Sequence, residues 1–427
     1  MGRWRGTGFL AFPSLSTAGI LAPAPPGYPR GVSTLDVTHL FRTALAAEPG
    51  RLHFAAHSHH LWPDAARAAH LRAFEDAVTL ADEKWGRFFS EVYPACQGGV
   101  AKTLGVADPN RVAFSANTHD LILRLMSALP AWNERRPLRV LSTDAEFHSF
   151  TRQMKRFEES GRVQWTQVAA EPFDTLPQRF EAAAADGPWD LAFASHVFFS
   201  SGHAFDEVFE LLSALPEETA CVVDGYHGFF ALPTDLGPHA DRLYYMSGGY
   251  KYAMAGEGVS FIVAPDGREE RPEFTGWFAG FGSLDGEQGE QVGYDPGASR
   301  MLGATFEPTP FHRLQAVFEL LEAEGVTVAA IHEHVVALQE RFLDRVGAGD
   351  AGPLDLSELV PGRHEVPGAR RGHFLTFRRG DARDLQRRLL EARVITDARD
   401  DRLRFGFGLY HVEADVDRLV ERLAALG

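Results

Sequence analysis

Short apolar runs alternate with longer amphipathic segments from about residue 111 onward. The runs are rich in Val, Ile, Phe and Tyr and are bounded by Gly, Pro and Asp, which is typical of buried strands. We predict strands over Arg111–Ser115, Arg139–Thr143, Val163–Val168, Asp190–His196, Ala220–Val223, Leu243–Met246 and Val259–Val263. Helical patterns separate several of them, at Asp120–Leu129, Phe150–Ser160, Leu176–Ala185 and Asp206–Leu215. This alternation predicts an α/β fold with a mainly parallel seven-stranded sheet covered by helices.

The segments on either side of this region predict further elements. A short helix is expected over Thr34–Leu45, capped by Ser33 or Thr34, and a longer helix runs from Pro63 and Asp64 to about Asp82. Later helices are predicted over Phe311–Glu324 and Val326–Val346. In the second of these, the apolar positions Ile331, Val335, Leu338 and Phe342 share one face.

The last part of the chain predicts a small α+β domain. Its expected strands are His373–Arg378 and Leu403–Phe407, and its expected helices are Asp381–Ala392 and Glu413–Ala425. We therefore predict a large domain over 34–315, with 34–65 near the site, and a small C-terminal domain over 316–427. Residues 1–33 are rich in Gly, Ala and Pro and predict a disordered extension. A weak export signal is the alternative, disfavoured by prolines inside the apolar stretch.

Composition narrows the class of protein. The chain has 427 residues, 45% of them hydrophobic and 23% charged, which is ordinary for a globular protein with a sizeable core. The formal net charge of −16 argues against nonspecific binding to nucleic acid or to anionic membranes. No apolar run is long enough to span a bilayer. The two cysteines, Cys96 and Cys221, cannot form a disulfide framework and favour a cytoplasmic location.

Polar residues follow the ends of the predicted strands. In open α/β sheets, ligands bind beyond the carboxyl ends of the parallel strands, so these residues are expected to surround a site. They are Ser115, Asn117 and His119, then Asp144 to Ser149, Ser200 to Gly202, Asp224 to His227, and Lys251.

Asp224 and Lys251 end two neighbouring buried strands. A carboxylate and a lysine so placed are what a pyridoxal 5′-phosphate (PLP) site requires, because the carboxylate keeps the pyridine nitrogen protonated and the lysine holds the aldehyde as a Schiff base. Burial beside Gly248 and Gly249 lowers a lysine pKa toward the neutral amine that this bond needs. Taken singly, each residue has another interpretation: Asp224 with Gly225 is a common turn pair, and Lys251 alone would be a surface lysine.

Three further positions each have a functional and a structural interpretation. Ser115 to Thr118 lead into a helix, so they either hold a phosphate at its N-terminus or merely cap it. Phe147 either stacks on a pyridine ring or belongs to the core. Arg404, with apolar neighbours in RLRFGFG, either grips a substrate carboxylate or forms an internal salt bridge.

A histidine-rich segment precedes these elements, with histidines at 53, 57, 59, 60 and 70. His57 and His59 could share one side of an extended segment, but no Cys or carboxylate lies at convincing ligand spacing. We expect a loop lining a polar pocket rather than a metal site.

The ordered set of motifs resembles the PLP-dependent, fold-type-I enzymes of aminotransferase class V, and within them kynureninase. The motifs are EFHS, VFFSSGHAFD, DGYH, SGGYK, GWF, PTP and RFGF followed by LY, and the resemblance covers about residues 50 to 420. The DGYH and SGGYK pair is specific for the PLP fold. The kynureninase likeness rests on VFFSSGHAFD, on Tyr250 before the lysine, on Phe at the ring-stacking position and on GWF.

The resemblance implies roles for individual residues. Lys251 would be the Schiff-base lysine and proton shuttle, aided by Tyr250, and Asp224 would pair with the pyridinium. The other implied cofactor contacts are Phe114, Ser115, Phe147, His227 and Tyr250, with Trp277 and Thr309 reaching in from the second subunit of a homodimer. Arg404 would hold the substrate α-carboxylate, with Ser58 and His60 nearby. The implied reaction is hydrolysis of kynurenine to anthranilate and alanine.

Three departures from the family pattern fall on the substrate side. EFHSF offers His148 and Ser149 where the family has an Asp, the N-terminal GNSLG-like loop is AHSHHLWP around Ser58, and Pro308 replaces a phosphate-loop glycine. The alternatives are therefore another class V aminotransferase or PLP-dependent lyase, a noncatalytic PLP-fold binding protein, and a metallohydrolase built on the histidine-rich segment. A cysteine desulfurase is disfavoured because no Cys follows Cys221.

Overall fold

The computed structural model describes residues 35–283, 291–362 and 371–427. The predicted extension over 1–33 and the predicted caps Ser33 and Thr34 lie outside the described residues. No helix in these ranges is long and apolar enough to cross a membrane.

A seven-stranded sheet forms the centre of the fold, in the order β2-β8-β7-β6-β5-β3-β4. Its strands are β2 Val112–Ser115, β3 Leu138–Thr143, β4 Val163–Val168, β5 Leu191–Ser195, β6 Ala220–Asp224, β7 Leu243–Gly248 and β8 Ser260–Val263. All neighbours pair in parallel except β8, which runs antiparallel to both β2 and β7. The predicted α/β fold with a mainly parallel sheet is confirmed, and each predicted strand lies within two residues of an observed one.

The α-helices fall before, between and after these strands. They are α1 Arg42–Ala46, α2 Asp64–Leu80, α3 Lys84–Arg87, α4 Tyr93–Thr103, α5 Thr118–Ala128, α6 Pro130–Asn133, α7 His148–Glu159, α8 Leu176–Ala185, α9 Val208–Ser213, α10 Thr309–Ala323, α11 Val328–Gly347, α12 Ala382–Glu391 and α13 Glu413–Ala424. Shorter 3₁₀ turns include Trp277–Ser283 and Gly297–Met301, in the Gly-rich region after β8.

The strand sequences are apolar on both faces because helices cover the sheet from both sides. In β6, Val223 packs in one core cluster and Val222 in the other. In β7, Tyr245 and Tyr244 divide between the two clusters in the same way. Because successive side chains alternate between two buried faces, most positions in these strands are apolar and the strands appear as continuous hydrophobic runs in the sequence.

The C-terminal part of the chain has a separate apolar cluster. Strands β9 Phe374–Arg378, β11 Asp397–Arg399 and β12 Arg402–Gly406 form an antiparallel sheet in the order β11-β12-β9, and β1 Leu52–His53 pairs with β10 Val394–Ile395. The predicted apolar stripe of α11 is buried: Val335, Leu338 and Phe342 pack in this cluster and Ile331 in a cluster of the central sheet. The division between 315 and 316 stays a prediction.

The short elements α6, β1, β10 and β11 were not predicted, and two helical regions before β2 also differ from the sequence-based prediction. The expected helix over Thr34–Leu45 is a 3₁₀ turn, Thr38–Phe41, followed by the short α1. The stretch 84–103, for which the sequence predicts no element, is helical, with a π-helical segment at Phe88–Val92. Its glycines and Pro94 obscure the helical period, and packing on α10 and β2 supplies the stabilisation that local propensity lacks.

Candidate active site

A cavity of ≈ 1090 Å³ lies at the carboxyl ends of the central strands. It is lined by the start of α5, by one side of α7, and by the residues that follow β5, β6 and β7. The polar and aromatic residues at its base are Ser195, Phe199, Asp224, Tyr226, His227, Tyr250 and Lys251. Part of each predicted group after β3, β6 and β7 lines this cavity, whereas Asp144 to Glu146 and Ser200 line a second, smaller one.

Lys251 is the amine at the base of this cavity, and only 6% of the residue is exposed. Its Nζ lies 2.6 Å from His227 Nε2. The centroids of the Tyr226, Phe147 and Tyr250 rings lie 4.9, 5.5 and 5.7 Å from Nζ. Burial lowers the pKa of Lys251 to about 7, because the Asp224 carboxylate only partly offsets the lost solvation. A large fraction of the lysine is therefore a neutral nucleophile at neutral pH.

Asp224, the last residue of β6, is the carboxylate of the site. Its Oδ1 accepts a hydrogen bond from the Tyr226 backbone N–H at 2.9 Å, which fixes the side chain in the turn that begins at Gly225. Burial raises the pKa of Asp224, opposed by that hydrogen bond and by the charge of Lys251. A cation placed against Asp224 would lower this pKa again, so the position favours a protonated ring nitrogen.

His227 completes the polar base of the cavity as a neutral imidazole. Burial, and then the positive charge of Lys251, lower its pKa well below the usual range. With Nε2 facing the lysine, the ring accepts a hydrogen bond whenever Lys251 is protonated. Among the described residues Nδ1 has no hydrogen-bond partner, although it is buried.

The N-terminus of α5 forms another wall of the cavity. Asn117 caps this helix by accepting a hydrogen bond from the Asp120 N–H at 2.8 Å, and Thr118 and His119 also line the cavity. Ser115, at the end of β2, accepts a hydrogen bond from Arg124 at 3.2 Å and does not reach the cavity wall. The helix start thus brings backbone N–H groups and a hydroxyl to an open space.

Phe147 lies on the cavity wall, as the stacking hypothesis requires. The residue is 39% exposed, and its ring contacts Phe199 edge-on at 5.4 Å. It directly precedes α7 as the N-cap residue. An aromatic ring exposed to a polar cavity beside a buried lysine offers a flat surface to a planar ligand.

Other predicted site residues lie outside the cavity wall. Phe114 belongs to the aromatic core beside Tyr93 and Phe311, because the β2 pleat turns it to the sheet face opposite Ala113. Trp277 is 46% exposed and stacks on Phe278, and its indole N–H donates to Thr305.

The remaining predicted residues are distributed as follows. Thr309 begins α10, where its backbone N–H donates to Glu307 at 2.9 Å. Ser58 is exposed. His60 is buried, with Nδ1 2.7 Å from the Leu61 carbonyl oxygen and Nε2 accepting a hydrogen bond from the Leu409 N–H. Both ring nitrogens of His60 are thus engaged within the chain.

Arg404 forms the internal salt bridge that was one of its two predicted roles. The guanidinium of this β12 residue pairs with Asp397 and donates to the Phe199 carbonyl oxygen. His57 Nε2 lies 3.7 Å from the same Asp397 carboxylate. The Nε of Arg404 is buried without a hydrogen-bond partner among the described residues, so part of the donor fork is unused.

Two residues near the site were predicted only as members of strand-end segments and were given no individual role. Tyr226 lies inside the DGYH motif, and its hydroxyl lies 3.3 Å from Ser260 Oγ. Glu146, next to Phe147, is 2% exposed and contacts Ser195 at the end of β5. A signal existed for both, since each is adjacent to a predicted site residue.

The histidine-rich segment does not assemble a metal centre. Within the described ranges, no group of three or more His, Cys, Asp or Glu side chains is arranged to hold a metal ion. His53 Nδ1 instead lies 2.6 Å from the Tyr410 hydroxyl, and His57 stacks on Phe374.

In comparisons with known proteins, a family model matches only the C-terminal part of the sequence, whereas solved structures match the fold of nearly the whole chain. Residues 331–423 match the family model of the kynureninase C-terminal domain. No curated protein is significantly similar to the chain.

Three solved structures resemble the chain over nearly all of its length. A mutant of C-DES with glycine covalently linked to its PLP cofactor has 18% identity and a TM-score of 0.75, with 91% of this chain and 99% of that chain covered. The apo cysteine desulfurase from Thermococcus onnurineus NA1 has 16% identity and a TM-score of 0.75, covering 93% and 99%. The cysteine desulfurase CsdA from Escherichia coli has 15% identity and a TM-score of 0.70, covering 90% and 97%.

At these identities the structural matches establish the fold, which is the one predicted from the sequence. The resemblance to the class V group is confirmed by this fold together with the kynureninase-type C-terminal segment.

Proposed function

We propose that the protein is a PLP-dependent enzyme of the kynureninase type, which cleaves the Cβ–Cγ bond of L-kynurenine or a related amino acid. Water is consumed, Cγ leaves with the added oxygen as an aromatic carboxylic acid, and the three-carbon remainder is released as L-alanine. The observation that carries the proposal is the buried Lys251, whose pKa is about 7, sharing one cavity with Asp224 and the exposed face of Phe147.

The residues of the cavity fit this cofactor. Lys251 would bond to its aldehyde carbon, Asp224 would keep a proton on its ring nitrogen, and Phe147 would cover one ring face. The start of α5, with the Thr118 hydroxyl, suits the phosphate. When bound, PLP supplies an aldehyde for the substrate amino group and a ring that withdraws electrons from Cα.

The chain's own groups would then move protons and orient the substrate. Once released from the cofactor, the Lys251 amine can take the proton from Cα and return it to carbon, with His227 2.6 Å away as a neutral acceptor for its N–H. Arg404 would hold the substrate carboxylate with its unused donors. Trp277 and Thr309 lie off the cavity wall and would complete the active site of the second subunit in a homodimer. We expect the protein to be cytoplasmic.

A different PLP-dependent lyase is the second candidate, favoured by the structural neighbours. One of them is a cystine C-S lyase solved with its product cysteine persulfide, at 18% identity and a TM-score of 0.72. A desulfurase that carries sulfur on its own cysteine is disfavoured, because Cys96 and Cys221 are both buried. A class V aminotransferase also remains an alternative. A noncatalytic binding role is weakened by the presence of Lys251, Asp224 and Arg404 together.

Turnover separates these candidates. The protein loaded with PLP is mixed with L-kynurenine, 3-hydroxykynurenine, cystine, or an amino acid with an oxo-acid acceptor. Fluorescent anthranilate with stoichiometric alanine is expected from kynurenine. Pyruvate from cystine would instead support the lyase, and an exchanged amino group the aminotransferase. Lys251→Ala should abolish the activity, and Lys102→Ala, at an exposed lysine, is the matched control.

A further inference from the structure

Glu146 is a buried carboxyl that the proposed chemistry leaves without a role. Its Oε1 accepts a hydrogen bond from the Thr143 hydroxyl at 2.5 Å and from the Ser195 N–H at 3.3 Å, and its Oε2 lies 2.5 Å from Ser195 Oγ. The residue is 2% exposed, and among the described residues no Lys, Arg or His is a main influence on its pKa. A buried carboxyl held only by uncharged donors, here two hydroxyl groups and one backbone N–H, is costly to ionise.

Ser195 connects Glu146 to the cofactor carboxylate. It ends β5 and is the register partner of Asp224 at the end of β6. Because the strands are parallel and adjacent, the two side chains project from the same face of the sheet, and both line the large cavity. The charge of Asp224 also reaches Glu146 and raises its pKa further, after burial has raised it.

The proton on Glu146 determines which way the Ser195 hydroxyl points. The Thr143 hydroxyl accepts from the Ala145 N–H at 3.2 Å, so its own hydrogen is directed to Glu146. An ionised Glu146 also takes the hydrogen of Ser195, whereas a protonated Glu146 donates to Ser195 and frees that hydroxyl to donate toward the cavity. Only when Glu146 is protonated can the Ser195 hydroxyl donate a hydrogen bond toward Asp224.

We propose that Glu146 is a positioning residue that acts on Asp224 through Ser195, and so sets how strongly Asp224 holds a proton on the ring nitrogen of the cofactor. The cofactor part of this inference rests on the proposed function. The coupling between the two carboxyls does not, since it belongs to the chain itself.

Charged groups on other elements face the same segment. A second cavity of ≈ 480 Å³ adjoins Glu146, and its charged or titratable lining residues are Asp144, His148, Lys155, Glu171, Arg399, Asp400 and Arg402. On the side of the large cavity the facing groups are Asp224, His227 and Lys251. Of all these groups, Asp224 is the one whose charge is a main cause of the raised pKa of Glu146, which is about 7.

The coupling can be measured without cofactor, by urea unfolding of the full chain at pH 5 and pH 7.5. A carboxyl with a higher pKa in the folded state destabilises the fold as pH rises from its unfolded value toward its folded value. Glu146→Gln should therefore gain stability relative to wild type over this interval, on the order of 50-fold in the unfolding equilibrium constant. Glu158→Gln, at an exposed carboxyl of α7, should show no such gain.

The Asp224→Asn background tests whether Asp224 is the partner. Without the Asp224 charge, Glu146 ionises more readily, so the pH-dependent gain of Glu146→Gln should shrink at least about threefold. An equal gain in both backgrounds, or a gain independent of pH, would overturn the proposal. Should Glu146→Gln fail to fold, Ser195→Ala serves instead: it removes a bond to Glu146, so Glu146 holds its proton more tightly and the pH-dependent destabilisation of the wild type should increase.

In the PLP-loaded protein the readout is the pH titration of the absorbance of the bound cofactor. Glu146→Gln should lower its midpoint by about half a pH unit or more, because it removes negative charge from beside Asp224. Ser195→Ala should lower the midpoint by less, because it acts only by making Glu146 hold its proton more tightly. The double variant should shift no further than Glu146→Gln alone. Independent, additive shifts, or an unmoved midpoint, would contradict the proposal. Absence of any bound cofactor in the wild type would instead count against the proposed function, and the experiment on the unloaded chain would still decide the coupling.

Discussion

The buried histidines predict that the protein loses stability in mild acid. His53 and His332 have pKa values of about 4, and His57 and His60 of about 3, in each case chiefly because burial penalises the charged ring. In the unfolded chain these rings titrate at about 6.5. Below pH 6.5 these rings bind protons in the unfolded chain but not in the folded one. Their contribution to the unfolding free energy is therefore full well above pH 6.5 and decreases as the pH falls below it.

The size of the loss follows from the shifts. Between pH 7.5 and 5.5 each such histidine costs about 1.4 kcal/mol, so the four together cost about 5 kcal/mol. Glu146 opposes this change, because a raised carboxyl pKa makes acidification favourable by about 2 kcal/mol over the same interval. Taken over these five groups, the net loss is on the order of 3 kcal/mol.

A variant isolates one histidine from these opposing contributions. His60→Asn removes the titrating ring, so its unfolding free energy should fall by about 1.4 kcal/mol less than that of the wild type between pH 7.5 and 5.5. His39→Asn, at a side chain with 46% exposure, is the matched control and should follow the wild type. Urea unfolding by tryptophan fluorescence at both pH values measures the difference. Identical pH dependence in His60→Asn and wild type would refute the reasoning.

Three further predictions concern the site. Asp397→Asn leaves the Arg404 guanidinium buried without its carboxylate, so the unfolding free energy measured in urea at pH 7 should fall by about 3 kcal/mol. A loss below about 1 kcal/mol would show that the ion pair is not structurally important. Arg404→Lys loses the planar donor fork, so KM should rise about tenfold or more while the absorbance of bound PLP is unchanged; a loss of PLP would place Arg404 at the cofactor instead. Phe147→Ala should weaken PLP binding by about tenfold in a fluorescence titration and Phe147→Tyr should retain it, and equal affinity in both would exclude stacking.

The sequence was most informative where the periodicity was strong. The central strands are short, apolar and flanked by turn residues, so each was predicted within two residues, and their C-terminal ends identified Lys251 and Asp224. Parallel pairing of β3 through β6 follows from the α-helices that connect them, although β6 and β7 also pair in parallel across a connection without an α-helix. The C-terminal strands β9 and β12 were found for the same reason.

Features that depend on tertiary contacts were not predictable. The helices between 84 and 103 contain glycines and are stabilised by α10, a partner more than two hundred residues away, as the Cys96 Sγ contact with the Phe311 carbonyl oxygen shows. Arg404 could be recognised as needing an anion, but only the fold shows that Asp397 already supplies one. Glu146 was predicted only as part of the segment Asp144 to Ser149, because a lone Glu beside a turn carries no periodic signal and its burial depends on β5.

The central claim is that the amine of Lys251 holds PLP, and borohydride trapping followed by peptide mass spectrometry tests it most directly. Reduction of the PLP-loaded protein makes the bond between cofactor and amine permanent, so proteolysis locates the modified residue. We expect one labelled peptide, carrying pyridoxyl phosphate on Lys251, and no stoichiometric label in Lys251→Ala. Label on another lysine, or a protein that binds no PLP, would contradict the account.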